Sequence, residues 1–457
     1  MGPLITALLC LASLQAVAVG SCDTFSGSWL DIPNMLDLLG RPVCALLEQV
    51  PALAELVRNP PNDPPYDLVI VEVFMASCYY AFGRKLNVPM VLVVTTPPFD
   101  WMNGPLGNPV NPAVDTSILS KSQSPTTFLE RLSNFLSISY TTFMYNIFAR
   151  EQDELVERVF GPGYPSVVDL IKDTSLVLVN HHLALNGVRP FVPGVVPVGG
   201  LHVDDENADE LPKEVQKFLD ESNMGFIYFS FGSMIRIETF PRRDLDAFYG
   251  TFRKIAPVRV LLKVAKPEEL PPDLPSNVMT QSWLSQIKVL KHKNIKIFIT
   301  HGGLMGTQEA IYHGIPMIGF PLFGDQHFNL DSYVRKNIAI KLDRHNITEP
   351  VFTRAVFDIL NDPTYKRSAQ SVGDKFKDTP MTPMDTAAFW VEYIARHGKD
   401  ALRAPIVDLP WWQASLLDVY GFIVAVILIL ISIMRIVFRK IVDLFSTKKS
   451  KTKVKKN

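Results

Sequence analysis

Between Trp283 and Gln326 stand side chains whose types suit the successive parts of a nucleotide sugar. Trp283 offers a flat face to a nucleobase, and Gln286 a paired donor and acceptor for ring edges or a ribose. His301-Gly302-Gly303 reads as a tight turn opening a helix over Met305–His313, which Gly314 ends. Backbone N–H groups at such a turn approach a phosphate closely, and the helix dipole favours the negative charge. His301 at its mouth adds a donor for a diphosphate. Glu309, on the helix, is an acceptor at the reach of ribose hydroxyls, and Asp325-Gln326 supply the mixed acceptors and donors that sugar hydroxyls require. Each piece alone has an ordinary structural explanation, since a lone Trp is usually core and a His-Gly-Gly turn usually a connection. Their order lays base, phosphate and sugar contacts along one strand-helix-strand unit.

The elements that must position these groups are short apolar strands alternating with amphipathic stretches, the pattern of parallel α/β architecture. The strand Asn294–Thr300 delivers the glycine turn, and Pro316–Leu322 returns to deliver Asp325 and Gln326 to the same edge. Upstream, Leu68–Phe74, Val88–Thr95 and Leu176–Asn180 read as buried strands of a first half, with a helical stretch over Ser77–Leu86. The polar run Asp204–Glu210 reads as a connector, after which Gly225–Ser233 and Val258–Val264 are strands of a second half. The expected divisions are a first half over 21–203 and a second over 204–400. Two facing sheets of this kind place a cleft at the carboxyl ends of their strands.

The 457 residues carry a formal net charge of −1, yet nine Lys/Arg against Asp443 lie from Arg435 onward, so the chain before it is acidic by about −9. An acidic body argues against a nucleic-acid partner. Cysteines 22, 44 and 78 show no paired metal-ligand spacing. Residues 1–20 read as a secretory signal peptide, with an apolar run Leu4–Val19 and cleavage before Ser21. Residues 416–438 form an apolar run of about 23 residues, enough to span a bilayer. Trp411, Trp412 and Tyr420 border it on one side and the basic tail 439–457 on the other, which puts the body on the lumenal side of a single-pass membrane protein. The sequon Asn346-Ile347-Thr348 agrees as a glycosylation site, and Lys453 and Lys455 resemble an endoplasmic-reticulum retrieval signal.

At the stretch Phe298–Gln326, and also at Tyr66–Glu72, Val198–His202, Ile227–Ser233 and the terminal span, the sequence resembles the UDP-glycosyltransferase family, including the UDP-glucuronosyltransferases, and most closely its arthropod members. The resemblance implies an α/β GT-B fold: two Rossmann-like domains facing a cleft, with the UDP-sugar held by the C-terminal one and the acceptor by the other. Carried over by position, Trp283 stacks on uracil and Gln286 contacts the nucleoside. Ser233, His301 and the backbone near Gly303 and Gly306 hold the diphosphate, Glu309 the ribose, and Asp325 with Gln326 the sugar. Ser285 and Met305 depart from the family pattern, so phosphate contact near Met305 falls to the backbone. The implied reaction moves a hexosyl group, glucose or glucuronate, with inversion to a small lipophilic acceptor, as in detoxification. It implies no metal or other cofactor, an endoplasmic-reticulum membrane location, and homo- or hetero-oligomers with relatives.

Inverting transfer also needs a base on the acceptor oxygen. In the family this is a His soon after the signal peptide, oriented by an acidic residue whose position corresponds here to Glu72. The first histidines of this chain are His181 and His182, and no strand pattern precedes Pro65. The expectation is a member shortened at its N-terminus, its leader joined to family sequence near Met35 and its first sheet left with an uncovered edge. His181, His182 and His202 read as structural. Two other classes stand beside the enzyme. Asp244-Leu-Asp246 has the form of a metal-dependent transferase motif, but residues two apart on a helix do not share a face. A membrane-anchored, non-catalytic protein that binds UDP-sugars and associates with relatives fits the loss of the His.

Overall fold

The computed structural model describes residues 32–61, 66–117, 120, 125–233 and 235–454, with side chains as far as 443. The expected leader at 1–20 and Lys455 lie outside the described residues, as does the side chain of Lys453. The chain divides into two compact units, one running to Arg403 and the other from Ala404.

In the larger unit a helical run from Ile32 to Gly40 leads into helices α1 (Arg41–Gln49) and α2 (Pro51–Arg58) of the first half. The stretch from Val43 to Arg58 forms two helices and not one, because Pro51 cannot donate to the preceding turn and Val50 adopts extended backbone before it. Strand β1 (Val69–Glu72), helix α3 (Ala81–Leu86), strand β2 (Met90–Val94), the long helix α4 (Phe128–Phe148), α5 (Asp153–Phe160), β3 (Thr174–Val179), the one-turn α6 (Leu183–Asn186) and β4 (Val195–Pro197) follow. The four strands pair in parallel in the order β1-β2-β3-β4. Helix α4 starts at a capping box between Thr127 and Glu130. It turns Asn134, Thr141 and Tyr145 inward and leaves Phe128, Leu132, Phe135 and Phe143 exposed. Among the described residues β1 is an outer strand, and its Ile70 is exposed.

A disulfide joins Cys44 on α1 to Cys78 in the turn Ser77–Tyr80. Gln152 fastens the same corner: its amide donates to the Met75 carbonyl at 2.7 Å and its carbonyl accepts from the Cys78 N–H at 3.1 Å. Nothing in the spacing of three cysteines chose this pair.

The second half begins with α7 (Lys213–Asp220) and runs β5 (Phe226–Ser230), α8 (Arg242–Ile255), β6 (Arg259–Lys263), β7 (Val278–Gln281), α9 (Gln286–Lys291), β8 (Ile295–Thr300), α10 (Leu304–Tyr312), β9 (Met317–Gly319), α11 (Gln326–Arg335) and β10 (Ala339–Lys341). All neighbours are parallel, in the order β10-β9-β8-β5-β6-β7. Counted from β5 this is the doubly wound order 3-2-1-4-5-6, whose chain direction across the sheet reverses between β5 and β8. Every residue of β5 is buried, as a central strand covered on both faces must be, which accounts for its unbroken apolar run. One face packs edge-to-face aromatics, Phe229 on Phe248 and Phe248 on Phe352, beneath α8 and α12 (Glu349–Asn361).

Helices α13 (Pro363–Lys377) and α14 (Pro383–His397) close the unit. Although α14 falls within 204–400, its Ala387 and Ile394 pack with Val91, Leu176, Leu178 and Val196 of the first sheet. The halves are therefore clasped by a helix from the second laid on the first.

The unit from Ala404 carries α15 (Leu417–Val454). Its segment Leu417–Asp443 has a mean hydropathy of 2.8 and is long and apolar enough to cross a membrane. The helix continues without a break past the 438 boundary read from the sequence, because Lys and Arg do not end a helix.

Candidate functional site

The carboxyl ends of β5 and β8 meet at the reversal of strand order, where open α/β sheets bind ligands. After β5 the chain turns through Gly232, whose φ of +75° suits glycine, and presents Ser233 exposed at the rim. After β8, Gly302 takes a φ of +90° and its N–H donates to the Thr300 hydroxyl at 3.2 Å. A Cβ on Gly302 would stand 2.7 Å from Leu330 Cδ1, so the turn cannot carry a side chain. Gly303 caps α10 with ordinary φ, and there the obstacle is lateral: a Cβ would lie 2.5 Å from His301 Nε2. The bare backbone keeps the His301 ring beside the open end of α10. Burial, then the charge of Lys263, lowers the His301 pKa to about 4, so at neutral pH it is a neutral donor-acceptor.

Lys263, the last residue of β6, donates to the Gly232 carbonyl at 2.9 Å and sits 4.7 Å from the Trp283 ring centroid. It ties the β5 turn to the indole and places a basic group between them. Sequence reasoning passed over it. The available signal was a basic residue at the carboxyl end of the strand, whose other basic residue, Arg259, stands at the opposite end. Trp283 itself is 70% exposed, far too open for a core residue, and so is available for stacking.

Gln286, at the start of α9, donates from Nε2 to Glu309 Oε2 at 2.9 Å. The two residues read separately from the sequence are one hydrogen-bonded pair joining α9 to α10. The same amide explains Gly306, where a Cβ would meet Gln286 Nε2 at 3.0 Å. Burial pushes the Glu309 carboxyl up to about 7, partly offset by the bond from Gln286.

At the end of β9 the chain reaches Asp325, the N-cap of α11. Asp325 Oδ2 accepts from Asn329 Nδ2 at 2.7 Å, and the same amide donates to the Gly302 carbonyl at 3.1 Å, so this carboxyl and the glycine turn share a brace. Burial raises the Asp325 pKa. Gln326 is buried, and its Oε1 accepts from the N–H groups of Leu322 and Phe323 at 2.8 and 3.1 Å. Its carbonyl holds the loop before α11, which leaves only its amide for hydroxyl recognition.

Across the cleft, Glu72 ends β1 and its Oε1 accepts from the Thr95 hydroxyl at 3.0 Å. Asn180 Nδ2 donates to the Thr95 carbonyl at 2.9 Å, and Gln308 Nε2 of α10 donates to Asn180 Oδ1 at 2.7 Å. A continuous series of side chains thus runs from the acidic position of the first half to the helix bearing Glu309. His181 and His182 follow β3 but serve the packing. His181 is buried against Phe191 with its pKa lowered to about 3, first by burial and then by Arg189. His182 caps α6 by accepting from the Ala184 N–H and packs at a tilt against Phe376, ring centroids 4.4 Å apart. Asp244 is buried on α8 and pairs with Arg243, while Asp246 pairs with Arg242, so the two carboxylates do not converge. Asn346 is exposed in a short helical turn after β10 and donates to Asp343.

With this geometry in view, the chain matches the family model described as UDP-glucoronosyl and UDP-glucosyl transferase over residues 61–452. It is 39% identical over 446 residues to UDP-glycosyltransferase UGT5 of Dactylopius coccus, covering 94% of this chain and 83% of that protein. It is 35% identical over 364 residues to UDP-glucuronosyltransferase 2B16 of Oryctolagus cuniculus, covering 79% and 68%. The solved structure of the kitacinnamycin glycotransferase superposes with a TM-score of 0.54 at 19% identity, covering 79% of this chain and 82% of the other, a likeness of fold. The fold is GT-B, and the chain belongs to the UDP-glycosyltransferase family.

Proposed function

We propose that the chain transfers a hexosyl group, glucose or glucuronate, from a UDP-sugar to a small lipophilic acceptor with inversion. The carrying observation is the convergence at the β5/β8 reversal of an exposed indole, a glycine turn capping α10 beside a neutral His301, a Gln286–Glu309 pair and the braced Asp325. These match base, diphosphate, ribose and hexose in that order. In the reaction the acceptor oxygen forms a bond to the anomeric carbon as that carbon's bond to the diphosphate oxygen breaks. The acceptor proton passes to a base and UDP leaves. Lys263, the α10 amide groups and His301 take up the charge developing on the diphosphate, which removes the need for a metal. Exposed Phe128, Leu132, Phe135 and Phe143 on α4 support an apolar acceptor handled by the first half. The Cys44–Cys78 disulfide and the segment Leu417–Asp443 support a body in the oxidising lumen of the endoplasmic reticulum, held by one span.

A second reading, a membrane-anchored UDP-sugar binder without turnover, is favoured by the histidines. Those following β3 are packed away, and Glu72 faces Thr95. Full-length chain in microsomes, assayed for UDP-sugar binding and for glycoside formation with UDP-glucose and UDP-glucuronate, separates the two. Turnover supports transfer, binding without turnover selects the second reading, and neither binding nor turnover overturns both.

A further inference from the structure

The chain holds one Asn-x-Ser/Thr triplet, Asn346-Ile347-Thr348, and it lies between β10 and α12. The fold separates its three side chains. Asn346 and Thr348 are exposed, while Ile347 is 2% exposed and packs in the aromatic core with Phe248, Phe320 and Phe352. Ile347 and Thr348 have extended backbone, which turns the middle side chain inward and the two flanking ones out. An ordered turn presents the asparagine: Asp343 Oδ1 accepts from the His345 N–H at 3.0 Å, and Asp343 Oδ2 accepts from Asn346 Nδ2 at 2.8 Å. Thr348 is the N-cap of α12, a place where a threonine hydroxyl usually accepts from the first turn of the helix. Here it makes no such bond, so helix capping does not account for this side chain.

We propose that Asn346 is an attachment site for an N-linked glycan, with Thr348 kept exposed and uncommitted as the hydroxyl that the modifying enzyme reads. The inference rests on the lumenal reading above, which the Cys44–Cys78 disulfide and the segment Leu417–Asp443 support. In the modification Asn346 Nδ2 forms a bond to the anomeric carbon of an oligosaccharide as that carbon's bond to a lipid-linked diphosphate breaks. One amide hydrogen leaves as a proton and the lipid diphosphate departs. The modified amide keeps its other N–H, which preserves the bond to Asp343, and the outward face takes the sugar without moving Ile347 from the core. Arg344 of the same turn lies 5.1 Å from the Phe240 ring centroid, which holds the turn against the segment after β5. The glycan then stands beside β10, an outer strand among the described residues, with β9 and β8 between it and β5.

The test expresses full-length chain in insect cells and treats sealed microsomes, after lysis, with an amidase that releases N-linked glycans. Wild type should gain mobility by the mass of one glycan. Release in heavy-oxygen water should convert Asn346 to a labelled aspartate that peptide mass spectrometry locates. Asn346→Gln and Thr348→Ala should run at the released position with or without the amidase, whereas Thr348→Ser, which keeps a hydroxyl at the third place, should shift as wild type does. Should the glutamine chain fail to accumulate, Thr348→Ala is held to the same criteria. A wild type that does not shift although its body is protected from protease added to the sealed microsomes overturns the proposal, and so does a shift that persists in Asn346→Gln. A body cut by that protease is a distinct result: it removes the lumenal reading and this proposal with it.

Discussion

Glu309 carries the clearest pH signature. Its carboxyl stands at about 7 in the folded chain against 4.5 when free, so the folded state binds its proton more tightly than the unfolded state. Relative to a residue that cannot ionise, no stability is lost below 4.5. Stability falls as pH rises from there, and above about 7 the full penalty applies, about 3 kcal/mol for a shift of this size. Glu309→Gln should therefore raise the thermal midpoint at pH 8 and leave it unchanged near pH 4.5, while weakening UDP binding at pH 8 about tenfold or more. In wild type, relative to the variant, UDP affinity should fall as pH drops through 7, a comparison that cancels the nucleotide's own titration. Scanning calorimetry and titration calorimetry at the two pH values check both halves. At this scale the sequence was legible as residue type and order, so Trp283, His301, Glu309 and Asp325 emerge at one rim. What it withheld was pairing. Gln286 with Glu309, and Gln326 with the Leu322–Phe323 backbone, join residues by geometry that no spacing encodes.

At the level of elements, the proposed function rests on the glycine turn as the device that would make an anion site of α10. Gly303→Ala adds a Cβ 2.5 Å from His301 Nε2 without backbone strain, so the chain should fold and UDP affinity should fall at least tenfold, with uridine, which lacks the diphosphate, binding nearly as before. Equal loss for both ligands would mean that the turn supports the base instead. A second element-scale prediction concerns the corner of α1 with the turn after β1. The disulfide closes a sequence separation of 34 residues, for which loop entropy gives about 3–4 kcal/mol. Cys44→Ser should lower the thermal midpoint of the first half and leave UDP binding by the second half intact. Strands β5 and β8, buried and apolar throughout or nearly so, were legible, β8 to within one residue and β5 to within three at its carboxyl end. The short strands β4, β7 and β10 were not, since three or four residues paired at or near a sheet edge leave no period to read. The Cys44–Cys78 pair was equally silent, because connectivity follows from the fold and not from spacing.

For the whole molecule, the reversal of strand order between β5 and β8 gathers the groups proposed to hold the donor, and α14 binds the first sheet to the second half. Alternation of strands and helices conveyed the two-sheet plan, but a helix crossing back from 383–397 to the first sheet has no local signature. The near-neutral net charge separates into an acidic body and a basic end divided by the apolar segment. In sealed microsomes a tag after Asn457 should be cut by added protease while the body stays protected, and the reverse pattern would invert the proposed topology. The central claim, that a UDP-sugar site lies at the β5/β8 reversal, is met most directly by titration calorimetry of full-length chain with UDP, beside Trp283→Ala and Asp325→Ala with UDP-glucose. Saturable binding by wild type is predicted, with Trp283→Ala weakening both ligands about tenfold and Asp325→Ala weakening UDP-glucose more than UDP. Absence of UDP binding by folded wild type, or unchanged binding in both variants, would contradict it.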